Sequence, residues 1–210
     1  MTAAPRIVVL GIGNLLWADE GFGVRCVEAL AAGWSFAPNV QLVDGGTQGL
    51  YLLPQVQAAT HLLILDAVDY GLAPGTLTLV EDEEVPRFLG AKKMSLHQTG
   101  FQEVLALAQF TGQWPQRVVL VGCQPAELED FGGSLTPTVK AALDPALAAA
   151  LAHLRDWGAC PQARPANDTD TESLAIPVLA MGTYETGRPP AEAACRVGDE
   201  RFMPPAGALA

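Results

Sequence analysis

The chain has 210 residues, with 12 Lys+Arg against 23 Asp+Glu, a formal charge of −11, and half of its residues hydrophobic. That balance belongs to a globular chain with a sizeable core and excludes an intrinsically disordered one. A pI near 4.5 argues against nucleic acid or an anionic membrane as the main partner, because both select a basic face. No stretch approaches the roughly 18 uninterrupted apolar residues of a membrane span. Met1-Thr2-Ala3-Ala4-Pro5-Arg6 lacks the charged region, apolar region and cleavage site of a signal peptide, so the expected compartment is the cytoplasm. Cys26, Cys123, Cys160 and Cys195 are scattered without a CxxC pair and read as free thiols.

Strand and helix signals alternate through residues 1–157. Ile7-Val8-Val9-Leu10 is a short apolar, β-branched run, suited to a strand buried on both faces. Helical spacing follows from Val24 to Ala32 and closes at Gly33. Val40-Gln41-Leu42-Val43 leads into Asp44-Gly45-Gly46, and a shorter helix is expected over 49–59 despite Pro54. His61-Leu62-Leu63-Ile64-Leu65 ends at Asp66. Leu72-Ala73-Pro74-Gly75 is a turn signal, and Thr76–Val80 alternates like a hairpin strand. Glu81-Asp82-Glu83-Glu84 reads as a solubilising turn and Lys92-Lys93 as a solvated pair. Gly100–Ala108 reads as a helix and Val118-Val119-Leu120-Val121-Gly122 as a buried strand. A last helix starts at Thr136-Pro137, with a break expected at Asp144-Pro145. The alternation predicts an α/β three-layer sandwich: a mostly parallel central sheet, helices on both faces and an antiparallel edge hairpin.

Residues 158–210 hold seven of the 16 prolines (Pro161, Pro165, Pro177, Pro189, Pro190, Pro204 and Pro205) and show no sustained period. They read as a Pro/Ala-rich, loosely ordered extension. The alternative is that Leu174-Ala175-Ile176-Pro177-Val178-Leu179 anchors the extension to the body or to a partner.

Ligands of an open α/β sheet bind beyond the carboxyl ends of its strands. There the sequence places Gly11-Ile12-Gly13-Asn14 with Asp19-Glu20, then Asp44-Gly45-Gly46-Thr47, then Asp66-Ala67-Val68-Asp69. His97 lies in the polar stretch before a helix. A dinucleotide fingerprint fails, because its third glycine would stand at Leu16 and because Asp19 and Glu20 would repel a phosphate. No nucleotide cofactor is expected. Two carboxylates and one imidazole, Glu20, Asp66 and His97, suit a divalent first-row metal with positions left for water or substrate. The same residues also suit a helix-dipole acid, a loop cap and a satisfied core histidine. There is no Gly-x-Ser-x-Gly elbow. Cys123 reads as a buried small hydrophobe sooner than as a thiolate partner of His97. Trp17 suits either a partner contact or a loop anchor.

Taken together these segments resemble the nickel–iron hydrogenase maturation endopeptidases. The resemblance is carried by Ile7–Leu16 with Asp19-Glu20-Gly21 and Gly23-Val24-Arg25, by Asp44-Gly45-Gly46-Thr47-x-Gly49, by Leu65-Asp66-Ala67-Val68-Asp69 and by Ser95-x-His97. It spans residues 6 to about 155 and leaves the extension aside. It implies a peptidase that removes a C-terminal peptide from the hydrogenase large-subunit precursor once nickel is inserted, with the nickel supplied by that substrate. It carries metal contact over to Glu20, Asp66 and His97. Asp66 is the first choice for the general base and Glu20 the second; Gly45, Gly46 and Thr47 are placed against the substrate chain. The open alternatives are a hydrolase of small substrates that keeps its own metal and a non-catalytic nickel or hydrogenase assembly factor.

Overall fold

The computed structural model describes residues 4–90, 96–165 and 174–189, without the side chains of 90 and 96–99. Lys92-Lys93, Ser95 and Cys195 therefore lie outside the described residues. Strands β1 (Ile7–Ile12), β3 (Val40–Gly46), β4 (His61–Ala67), β5 (Leu77–Glu81) and β6 (Arg117–Cys123) form one sheet in the order β3-β1-β4-β6-β5. Strands β3, β1, β4 and β6 are mutually parallel. The edge strand β5 is antiparallel, as expected, but it pairs with β6, Leu77 opposite Cys123 and Glu81 opposite Val119. It is thus no hairpin: β5 does not pair with β4, the nearest strand in sequence, and two helices separate it from its partner β6.

Period-two side-chain alternation divides the core into the two interfaces of a sandwich. Ile7, Val9, Leu63, Leu65, Val119 and Val121 face the layer built by α1 (Phe22–Gly33), α5 (Pro137–Ala141) and α6 (Leu143–Asp156). Val8, Leu10, Leu62, Ile64, Val118 and Leu120 face α2 (Leu53–Ala58), α3 (Glu84–Gly90) and α4 (Leu96–Phe110). Both faces of the central strands are buried, which explains why they read as continuous apolar runs.

The helical details depart from simple pattern reading in three places. Pro54 is accommodated because the turn at Gly49–Leu52 is 3-10 and α2 begins at Leu53, where a missing amide costs no hydrogen bond. The helix expected from Thr136 starts with that residue as N-cap, its hydroxyl accepting from the Val139 amide, and it breaks at Ala142. Pro145 falls in the first turn of α6, where it is tolerated, so the break comes before Asp144-Pro145. Helix α3 lies hidden behind the acidic run: Val85 and Leu89 are buried beneath it. Asp82 is more than a solubilising charge, accepting from the Val118 amide at 2.9 Å and from Arg117 Nε.

Of the extension, 158–165 and 174–189 are described. Strand β7 (Gln162–Ala163) pairs with β2 (Trp34–Ser35), and a 3-10 turn at Pro177–Leu179 leads into α7 (Met181–Gly187). Leu174 and Met181 pack against the α1/α6 core and seat the segment on the body. Ile176 and Val178 point outward, 61% and 66% exposed.

Candidate active site

The strand order fixes where a ligand crevice falls. From β1 the chain crosses through α1 to β3 on one side, and from β4 it proceeds by way of α4 to β6 on the other. The two connections leave toward opposite faces of the sheet, so the switch point lies between the carboxyl ends of β1 and β4. The loop carrying Glu20 follows β1, and Asp66 is the penultimate residue of β4. The two residues chosen from the sequence therefore lie at or just beyond the carboxyl ends of the two strands that border the switch point.

Glycine geometry brings the Glu20 turn down onto the sheet. Residues Ala18–Gly21 form a 3-10 turn, and the Asn14 amide donates to the Glu20 carbonyl at 3.2 Å. Gly13 has φ +138°, and a Cβ there would collide with that same carbonyl oxygen. At Gly23, in the first turn of α1, a Cβ would collide with the carbonyl oxygens of Leu65 and Ile12. These glycines serve backbone packing, and they lock the start of α1 against the residue preceding Asp66.

Asp19 and Glu20, adjacent in sequence, have separate places. Asp19 is fully buried. Its Oδ2 accepts from the Ala126 and Glu127 amides at 2.8 and 2.9 Å and from the Thr136 hydroxyl at 3.1 Å. Its Oδ1 accepts from the Thr136 amide at 2.7 Å. Asp19 is a clamp that ties the 126–136 loop to the Glu20 turn, whereas Glu20 is only partly buried. Asp66 is 3% exposed, and its charge helps to push the Tyr70 hydroxyl pKa upward, after burial as the larger cause.

Pattern reading missed Gln124, the polar residue just past β6. It is buried, its Oε1 accepts from the Tyr70 and Leu72 amides at 2.8 and 3.1 Å, and its Nε2 donates to Asp69 Oδ1 at 2.9 Å. Gln124 thereby shapes the loop that leaves Asp66. The only signal for it in sequence is an amide side chain immediately after a fully apolar strand.

His97 lies in the first turn of α4, whose Gly100 approaches Gly49 beside the second glycine loop; its side chain is outside the described residues. Gly45 is buried, Gly46 has φ +45° and Thr47 is exposed. The Gly46 carbonyl accepts from the Gly13 amide at 3.1 Å and the Gly45 carbonyl from the Gln48 amide at 3.1 Å. The first bond joins the first two loops and the second closes the turn of the second loop, with Thr47 exposed at its surface. Burial raises the Asp44 carboxyl pKa above its ordinary value, with the Gly46 amide and Arg25 opposing. Burial also pushes the Cys123 thiol up to about 12, with Asp19 adding to the shift, and Cys123 sits in the core as a small hydrophobe. Trp17 is half-buried, its ring centroid 5.2 Å from that of Phe131 in an edge-on contact and its backbone bridged to residue 131. Among the described residues, no three His, Cys, Asp or Glu side chains converge as a metal-binding group.

A family model described as hydrogenase maturation protease matches residues 24–153. The hydrogenase expression/formation protein HoxM of Cupriavidus necator is 64% identical over 198 residues, covering 94% of this chain and 98% of its own. The hydrogenase 2 maturation protease of Escherichia coli is 47% identical over 154 residues, covering 73% of this chain and 93% of its own. Among solved structures, the hydrogenase maturating endopeptidase HybD from E. coli superposes with a TM-score of 0.71 at 44% identity, covering 78% of this chain and 99% of that one. With the sheet order, the switch-point carboxylates and these similarities in place, the chain belongs to the hydrogenase maturation protease family and is a peptidase.

Proposed function

We propose that this peptidase removes a C-terminal peptide from the nickel-loaded precursor of the [NiFe] hydrogenase large subunit, late in hydrogenase maturation. The observation that carries the reading is the placement of Glu20 and Asp66 on either side of the β1/β4 switch point, on loops braced by Asp19 and Gln124. Two carboxylates beside one switch point suit a cation presented by a folded substrate. Glu20, Asp66 and His97 contact the substrate's nickel, and this places the scissile peptide beside the carboxylates. Asp66 takes a proton from the attacking water, and the water oxygen bonds to the carbonyl carbon. The carbon–nitrogen bond then breaks, and the proton passes to the leaving amine. Gly45 and Gly46 keep the second loop flat, so that Thr47 meets the substrate chain. The reaction belongs in the cytoplasm, where thiols such as exposed Cys160 stay reduced.

The direct test is the intact mass of the large-subunit precursor before and after incubation with the protein, with nickel-loaded and metal-free precursor compared. Loss of one C-terminal fragment only from the nickel-loaded sample is expected. An unchanged mass in a stable complex would replace cleavage by an assembly role.

A further inference from the structure

Residues 174–189 lie beyond the family model's match, which stops at 153, and no step of the proposed cleavage uses them. They nevertheless grip both segments that frame the Glu20 turn. On one side, buried Arg25, in the second turn of α1, donates to the Leu179 carbonyl at 2.7 Å and lies over the Tyr184 ring, 6.0 Å from its centre. On the other side, Glu185 accepts from the Ser134 hydroxyl and from Lys140, each at 2.9 Å. Arg188 donates to Asp130 at 2.7 Å.

Asp130 and Ser134 belong to the loop that Asp19 clamps, and Lys140 lies in the helix that follows it. The same loop sets Phe131 against Trp17, and its Gly132 amide donates to the Leu16 carbonyl at 2.8 Å. Phe131 is 62% exposed and Leu16 39% exposed, which makes an apolar rim just ahead of Glu20. Aromatic side chains held at fixed geometry are the usual anchors of a protein interface. The ion pairs that hold the strap are partly exposed, and pairs of that kind add little to global stability. Their effect is local, on the position of the rim.

We propose that residues 174–189 are a positioning strap that sets precursor specificity. Through Glu185 and Arg188 it holds the 127–136 loop so that Trp17 and Phe131 dock on the precursor beside its scissile segment. An apolar rim on a chain of charge −11 fits an apolar patch bordered by basic side chains on that precursor. The inference rests on the peptidase reading.

The test is the full-length Glu185→Ala/Arg188→Ala variant, assayed by the Kd for fluorescently labelled nickel-loaded precursor and by steady-state cleavage. Kd and KM are expected to rise about tenfold, a change of the size that losing one docking anchor produces. At the same time kcat stays within about twofold and Tm is unchanged, as expected when ground-state and transition-state binding fall together. Arg188→Lys alone should retain near wild-type Kd. An unchanged Kd and KM, or a fall in kcat without a change in either, would overturn the proposal. If wild type binds the precursor without cutting it, the peptidase step fails while the Kd comparison still decides the strap.

Discussion

The two ends of the sheet are built differently. At the amino end the connections are short and are closed largely by backbone. The Arg6 carbonyl accepts from the Thr60 and His61 amides, and the Thr60 carbonyl from the Gln116 and Arg117 amides. The side chains that gather there, Arg117 with Asp82 and Glu81, are exposed ion pairs. At the carboxyl end the loops are long and are tied by buried side chains, Asp19 reaching residues 126–136 and Gln124 reaching 69–72. Backbone closure tolerates substitution. A loop held by one buried carboxylate or amide does not, because removing that group leaves several buried donors without an acceptor.

Substitutions at the two ends should therefore separate sharply. The largest effect is expected on activity: Asp66→Asn should lower cleavage of the nickel-loaded precursor by about a thousandfold, the scale of a lost general base, with an unchanged circular dichroism spectrum. Full activity would remove Asp66 as the base. For stability, Asp19→Ala should cost about 3 kcal/mol, read as a fall in Tm of roughly 6–12 °C, since four hydrogen bonds lose their acceptor. Gln124→Ala should cost about 1–3 kcal/mol and speed amide exchange over residues 70–76. At the amino end, Arg117→Ala should change stability by less than about 1 kcal/mol. A larger loss there than at Asp19 would break the contrast between the ends.

The smallest effect concerns Asp44. Burial raises its carboxyl pKa in the folded state, so its contribution to stability is fullest below the unfolded value of 3.8 and is lost as pH rises through the folded pKa. Asp44→Asn should accordingly raise Tm at pH 7 by about 1–3 °C, with the gain vanishing toward pH 3.5. A gain that persists at low pH would point to another cause.

What could be read in the sequence followed from local rules. Ile7–Leu10, His61–Leu65 and Val118–Gly122 announce buried strands because both of their faces are covered, and Glu20 and Asp66 stand out because they follow such strands. Strand order could not be read, since the pairing of β5 with β6 depends on residues some 40 positions apart. Helix α3 was masked because its buried Val85 and Leu89 sit inside an acidic, proline-bearing stretch. The division of labour between Asp19 and Glu20 was equally invisible. The partners that occupy Asp19 arrive from 107 to 117 residues away, and no local pattern distinguishes two adjacent acids before a helix.

The central claim is that the β1/β4 crevice meets the substrate's metal through Glu20 and Asp66. Nickel X-ray absorption of the precursor, alone and freeze-quenched with the protein before cleavage, tests it most directly. Wild type should add oxygen or nitrogen ligands to the nickel shell, and the Glu20→Gln/Asp66→Asn variant should add fewer. An identical nickel shell with and without wild-type protein, in a complex shown to have formed, would contradict the account.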